Sequence, residues 1–158
     1  MKKYKQVFSQ NMGKKTTPKI TENKKGEEWT QITFKPDLAR FSMTNIDDDT
    51  YALLMKRVYD VAGTVKDIKV NLNGERLKVK NFKQYVDMYV AANSAAHTAE
   101  GAAVTKPTVV YENAGKRWEV AFALSDGEFN QVSFANSIAT TKGGTHVDMI
   151  ATQLANKL

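Results

Sequence analysis

Any chemistry in this chain has to come from a few polar clusters. Lys142-Gly143-Gly144-Thr145-His146 sets two glycines ahead of a helical pattern, leaving backbone N–H groups at a helix N-terminus, where an anion or phosphate could sit. It is not a Walker A loop, which needs an earlier glycine and a Gly-Lys-Ser/Thr end. A tight turn followed by a capped helix is the physically simpler reading. Asn136, Ser137, Thr140 and Thr141 crowd the approach to this turn and could either end a sheet or contact a ligand. Asp47, Asp48 and Asp49 suggest a metal cluster by type but not by spacing. Three successive carboxylates diverge, and at a helix start they favour the helix dipole. His97 and His146 are too far apart to define a metal site, and neither has a Ser or Cys neighbour that would form a relay. The absence of cysteine excludes disulfides, thiolate metal sites and a thiol nucleophile.

The elements that would position these groups alternate irregularly between strand and helix. Short strands are expected at Tyr4 to Phe8, around Thr16 to Ile20, and at Thr30 to Phe34, which Pro36 ends. Tyr51, Leu54, Met55, Val58, Tyr59 and Ala62 recur at helical spacing behind the three aspartates, with Gly63 as the expected stop. Alternation on both sides of Asn73-Gly74 predicts a type I′ hairpin. Phe82, Tyr85, Val86, Tyr89 and Val90 form the stripe of a second helix capped by Asn81. Residues 91–107, rich in alanine and small polar side chains, read as an exposed insertion, although alanine could also prolong the helix. Strands at Thr108 to Tyr111, Trp118 to Leu124 and Gln131 to Ile138 predict an antiparallel meander. A last helix carries Val147, Ile150, Ala151, Leu154 and Leu158, with Thr145 and Asp148 spaced as a capping box. Strands and helices without βαβ alternation indicate an α+β fold, with a boundary near residue 80.

A chain of 158 residues that is 42% hydrophobic can build one core or two small ones, burying roughly 70% of its unfolded surface. No apolar run reaches the ~18 residues of a membrane span, and no apolar core follows the lysines of MKKYKQVF, so export is not expected. The net charge is +6, with Lys2, Lys3, Lys5, Lys14, Lys15 and Lys19 all preceding the first acid, Glu22. Such a field attracts polyanions, although a solvated strand face would look the same. These residues alone leave a stand-alone basic nucleic-acid-binding module and a piece of a larger enzyme both open.

The wording of particular segments goes further. TQITFKPDLARFSM (Thr30 to Met43), DDDTYALLMKRVYDVAG, DIKVNLNGERLKVKNFKQYVDMY, RWEVAFALSD and QVSFANSIATTKGGTHVD (Gln131 to Asp148) resemble eukaryotic-type type IIA DNA topoisomerases II, in that family's order. The GGTH ending is also similar to bacterial gyrase and topoisomerase IV B subunits. Only residues 91–107 match poorly.

The resemblance implies that residues 1–80 are the C-terminal strands and helix of a GHKL (Bergerat) ATPase sheet. Residues 81–158 would begin a transducer domain of the ribosomal-protein second-domain type. It implies an ATP-hydrolysing DNA topoisomerase that passes one duplex through another, a nuclear homodimer joined at an N-terminal gate, with ATP and Mg²⁺ as cofactors and DNA as partner. The family's Mg²⁺-binding Asn, general-base Glu, adenine-reading Asp and DNA-attacking Tyr have no counterpart in this stretch, so no catalytic residue is expected and the segment alone should be inactive. Thr30 matches a threonine lining the adenine pocket, with Ile32 beside it. Gly143, Gly144, Thr145 and His146 match a signature expected to serve packing or transmission. Cut from its sheet, the first part should leave strand edges and apolar faces uncovered.

Overall fold

A strand needs a partner to exist, and in the first part of the chain only one stretch finds one. The computed structural model describes residues 1–99, 107–125 and 127–157, and the chain divides into two compact units, Met1–Thr44 and Asn45–Leu158. In the first unit a long hairpin is formed by β1 (Lys2–Lys5) with β4 (Lys19–Glu22) and β2 (Phe8–Ser9) with β3 (Lys14–Lys15), both antiparallel. These strands bracket the expected ones and are offset from them by a few residues. The expected strand at Thr30 to Phe34 does not form. That stretch has the right alternation but no neighbouring chain to complete its ladder, so Ile32 and Phe34 remain 84% and 74% exposed. A single 3₁₀ turn at Leu38–Phe41 ends in Ser42, whose left-handed backbone lets its N–H reach the Ala39 carbonyl.

The second unit is organised by two helices. α1 (Asp48–Thr64) begins at Asp47, whose Oδ1 accepts the Thr50 N–H at 2.8 Å, while Asp48 and Asp49 lie in the first turn. The aspartates therefore act as cap and dipole partners, and among the described residues no group of acidic or histidine side chains is placed to hold a metal. That cap hydrogen bond holds the Asp47 carboxyl below its usual range. Gly63 does not stop the helix, which runs on to Thr64, because the glycine is needed for packing. α2 (Phe82–Ala99) starts at Asn81, whose Oδ1 accepts the Gln84 N–H at 2.9 Å. Its backbone continues through the alanines, so the first part of the expected insertion is helix; residues 100–106 and the side chain of His97 lie outside the described residues.

Between the helices, β5 (Asn71–Leu72) and β6 (Glu75–Arg76) close on Asn73 and Gly74, both with positive φ as a type I′ turn requires. The expected meander is shorter than its pattern. β7 (Val109–Ala114) pairs with β8 (Trp118–Ala123), but the third stretch folds back on itself as β9 (Phe134–Ala135) and β10 (Ile138–Ala139). Asn136 and Ser137 are both left-handed and make that turn, which accounts for the polar density there without a ligand. α3 (Thr145–Ala155) follows. Its N-cap is Gly144 and no side chain caps it, so the Thr145/Asp148 capping box does not form.

Among the described residues Asp60, Ala62, Gly63, Tyr85 and Val90 are buried, and all lie on α1 or α2. The accessible surface is 13583 Å², well above the ~8,000 Å² of a self-contained globular chain of this mass. The expected 70% burial is thus not reached, and Tyr4, Phe8, Ile20, Ile32, Phe34 and Leu124 stand exposed. None of the described helices is long and apolar enough to cross a membrane.

Candidate coupling site between the helices

The best-defined polar arrangement lies where α1 meets α2. Asp60 is on the fourth turn of α1 and is 1% exposed, a placement that costs several kcal/mol unless the carboxylate is fully partnered. Lys56, one turn earlier, reaches both of its oxygens at 2.9 and 3.0 Å, and Arg57 stands 3.6 Å away. The remaining direction is filled from the other helix by the Tyr85 hydroxyl, which donates to Oδ1 at 2.6 Å. Tyr85 also lies within hydrogen-bonding distance of Tyr89, hydroxyl to hydroxyl at 3.2 Å. Burial, reinforced by the bond to Asp60, pushes the Tyr85 phenol far up, so it remains a donor.

Shape completes what charge begins. A Cβ on Gly63 would fall 2.7 Å from the Tyr85 Cβ and ring, so only glycine lets α2 approach this closely. The Phe134 ring meets Tyr85 edge-on, with centroids 5.7 Å apart at 75°, and the Lys56 ammonium sits 6.0 Å from the same Phe134 centroid. Three segments well separated in sequence, α1, α2 and β9, therefore converge on one buried carboxylate and its half-exposed lysine. A second tie binds the end of α1 to the β7–β8 hairpin, where Glu119 accepts from Lys66 at 2.6 Å and from Tyr111 at 2.8 Å. Burial alone would raise the Glu119 carboxyl, but Lys66 and Tyr111 outweigh it and hold it below the usual value.

The glycine turn forms its own small network. Thr140 donates its N–H to the Ser133 carbonyl and accepts from Gly143 through its own carbonyl, at 2.8 and 2.9 Å. Its hydroxyl stands 3.2 Å from His146 Nε2 and within hydrogen-bonding distance of Ser133. Gln131 donates to the Thr141 carbonyl at 3.2 Å. Gly144, at φ 148°, leaves room for the His146 ring, which a Cβ would approach to 3.1 Å. Gly143, Gly144 and His146 thus hold the β9–β10 hairpin against the start of α3, and Thr145 is the first residue of that helix.

Thr30 lies elsewhere, in the first unit, at a shallow depression it shares with Lys2, Asn23, Glu27 and Trp29; Ile32 is not part of that depression. The structure does not assemble a pocket from this pair. The Asp60–Tyr85 pair was not singled out by sequence, because Tyr85 reads as one member of an apolar stripe and Asp60 as one more charge. The available signal was Gly63 three residues after Asp60 on the same side of the helix, with Lys56 a turn behind it.

The chain is similar to known proteins along its whole length. The DNA gyrase B family model matches residues 81–158, starting at the residue that caps α2. DNA topoisomerase 2 of Arabidopsis thaliana is 51% identical over all of this chain, which spans 10% of it, and that of Saccharomyces cerevisiae is 48% identical over 99% of the chain, which spans 11%. The ATPase region of the Saccharomyces cerevisiae topoisomerase II superposes with a TM-score of 0.87 at 48% identity, covering 99% of this chain and 38% of that one. The chain therefore spans about a tenth of the length of the curated relatives it matches.

Proposed function

We infer that this chain, homologous over its whole length to a segment of DNA topoisomerase 2 and to the ATPase region of that enzyme, is the element that carries the state of a nucleotide site toward a DNA-cleaving core. Residues 1–80 are read as the C-terminal part of a GHKL ATPase domain and residues 81–158 as the start of the transducer. The beginning of the gyrase B match at residue 81 supports that division, although by compactness the chain divides at residue 44 instead. The observation that carries the reading is the Asp60–Tyr85 bond. It spans the proposed boundary and ties α1 to α2, since sliding one past the other breaks the hydrogen bond between the buried Tyr85 hydroxyl and Asp60 at a cost of about 1–3 kcal/mol.

In the intact enzyme ATP and Mg²⁺ are the cofactors, DNA is the substrate, the assembly is a homodimer closed at an N-terminal gate, and the compartment is the nucleus. Thr30 and Ile32 line the adenine pocket once the upstream part of the domain covers them. Their exposure here fits that role, as do the uncovered apolar faces of Tyr4, Phe8 and Ile20. Gly143, Gly144, Thr145 and His146 transmit through packing, and no residue of this segment breaks or forms a bond.

The test has two arms. Residues 1–158 alone should hydrolyse no ATP above background, and turnover would refute the reading. In the full-length enzyme that carries this segment, Tyr85→Phe should retain ATP hydrolysis while the number of duplex passages per ATP falls. An unchanged ratio would show that the helix pair does not couple the two activities.

A further inference from the structure

The entire net charge of the chain resides in its first unit. Residues 1–44 carry ten Lys and Arg against four Asp and Glu, whereas residues 45–158 carry thirteen of each. The register of the hairpin then sorts that charge by face. Lys3 opposes Thr21 and Lys5 opposes Lys19, so these four project from one side of the ladder. Lys2 opposes Glu22 and Tyr4 opposes Ile20 on the other side, which places the ladder's only acid on the apolar face. Between the two ladders Gln6 and Val7 face Thr16, Thr17 and Pro18, one residue more on the returning strand. This bulge shifts the alternation of that strand, so Lys14, paired with Ser9, joins the side of Lys5 and Lys19.

From this sorting we propose that the face bearing Lys3, Lys5, Lys14 and Lys19 docks the phosphate backbone of duplex DNA. The proposal rests on the reading that the segment serves a DNA enzyme and names the surface that would touch the substrate. All four lysines are exposed, and no carboxylate of the hairpin shares their face. Alternate residues of a strand are about 7 Å apart, so Lys3 and Lys5 form a row with Lys19 beside them across the ladder. Lys5 directly opposite Lys19 is an unfavourable like-charge pair, and a polyanion laid over the face turns that cost into attraction. Trp29 lies 5.0 Å from the Lys3 ammonium and keeps an aromatic surface beside the row. Since no pattern of base-reading side chains accompanies the lysines, the contact is with the backbone and independent of sequence.

The experiment is a salt titration of the chain of residues 1–158 binding a short fluorescent DNA duplex. Replacing Lys5, Lys14 and Lys19 by Gln should reduce the slope of log affinity against log salt by about 0.9 for each lysine removed. The pair Lys2→Gln and Lys15→Gln, on the opposite face, should leave the slope as it is. Lys5→Glu separates binding from folding, because it gives Lys19 a partner: the melting temperature should rise or hold while DNA affinity falls. Equal slopes for the two sets of variants, or no binding to duplex at low salt, would overturn the proposal and leave the coupling reading untouched, since that is judged by passages per ATP.

Discussion

The Tyr85 hydroxyl lies 2.6 Å from Asp60 Oδ1, although the two residues stand 25 positions apart and on different helices. Each is 1% exposed, so each supplies the other with a partner across the helix contact. Tyr85→Phe should destabilise the chain by about 1–3 kcal/mol, because Asp60 loses one partner but keeps Lys56. Asp60→Ala should cost a similar amount, about 1–3 kcal/mol, since it removes the carboxylate that the buried Tyr85 hydroxyl donates to. Urea unfolding followed by circular dichroism measures both. A double variant whose loss equals the sum of the single losses would mean that the two groups do not interact.

Gly63 offers an independent check on the same contact. Adding one methyl there as alanine should raise helix propensity yet destabilise by about 1–3 kcal/mol, because the Tyr85 ring must move away. Combining Gly63→Ala with Tyr85→Leu should recover part of that loss. If Gly63→Ala were stabilising in thermal melts, the close approach of α1 and α2 would be wrong.

Acid stability reports on Glu119. Lys66 and Tyr111 hold its folded carboxyl below the usual glutamate range, so the stabilisation is fully present above the unfolded value and disappears as pH falls through the folded one. Lys66 is 56% exposed, which limits the contribution to about 1 kcal/mol. Glu119→Gln should therefore lower stability at neutral pH and flatten its dependence on the acid side, below the ordinary glutamate range. Parallel profiles for variant and parent chain would remove the interaction from the account.

At the glycine turn, Gly144→Ala should cost about 1 kcal/mol or more, since its backbone has φ 148° and its Cβ would crowd the His146 ring. Paired with His146→Ala, the steric part should vanish and the backbone part remain. Thermal melts of the single and double variants separate the two.

Local physics was largely legible beforehand. The 3.6-residue stripes placed α1 and α2, the three aspartates marked the start of α1, Asn81 capped α2, and Asn73-Gly74 made the type I′ turn, because helices and tight turns are fixed by neighbours within a few residues. The misses involve distant partners. Thr30 to Phe34 has a strand's alternation and no strand beside it, and the third arm of the expected meander turned back at Asn136-Ser137 and left β8 without a second partner. The capping box at Thr145 is a local miss, because the backbone of Gly144 takes the cap position.

By its residues alone, the chain determined its periodicities, its basic front, its lack of thiol chemistry and, through the wording of whole segments, its likeness to a family. Only the tertiary structure decided which charges are buried and which share a face. Asp60 became a buried partner of Tyr85 because α2 closes over it, and Lys14 joined Lys5 and Lys19 because one extra residue shifts a strand's alternation. Both outcomes depend on what lies opposite a residue in space, and that is set by register and helix contact, which no local pattern encodes.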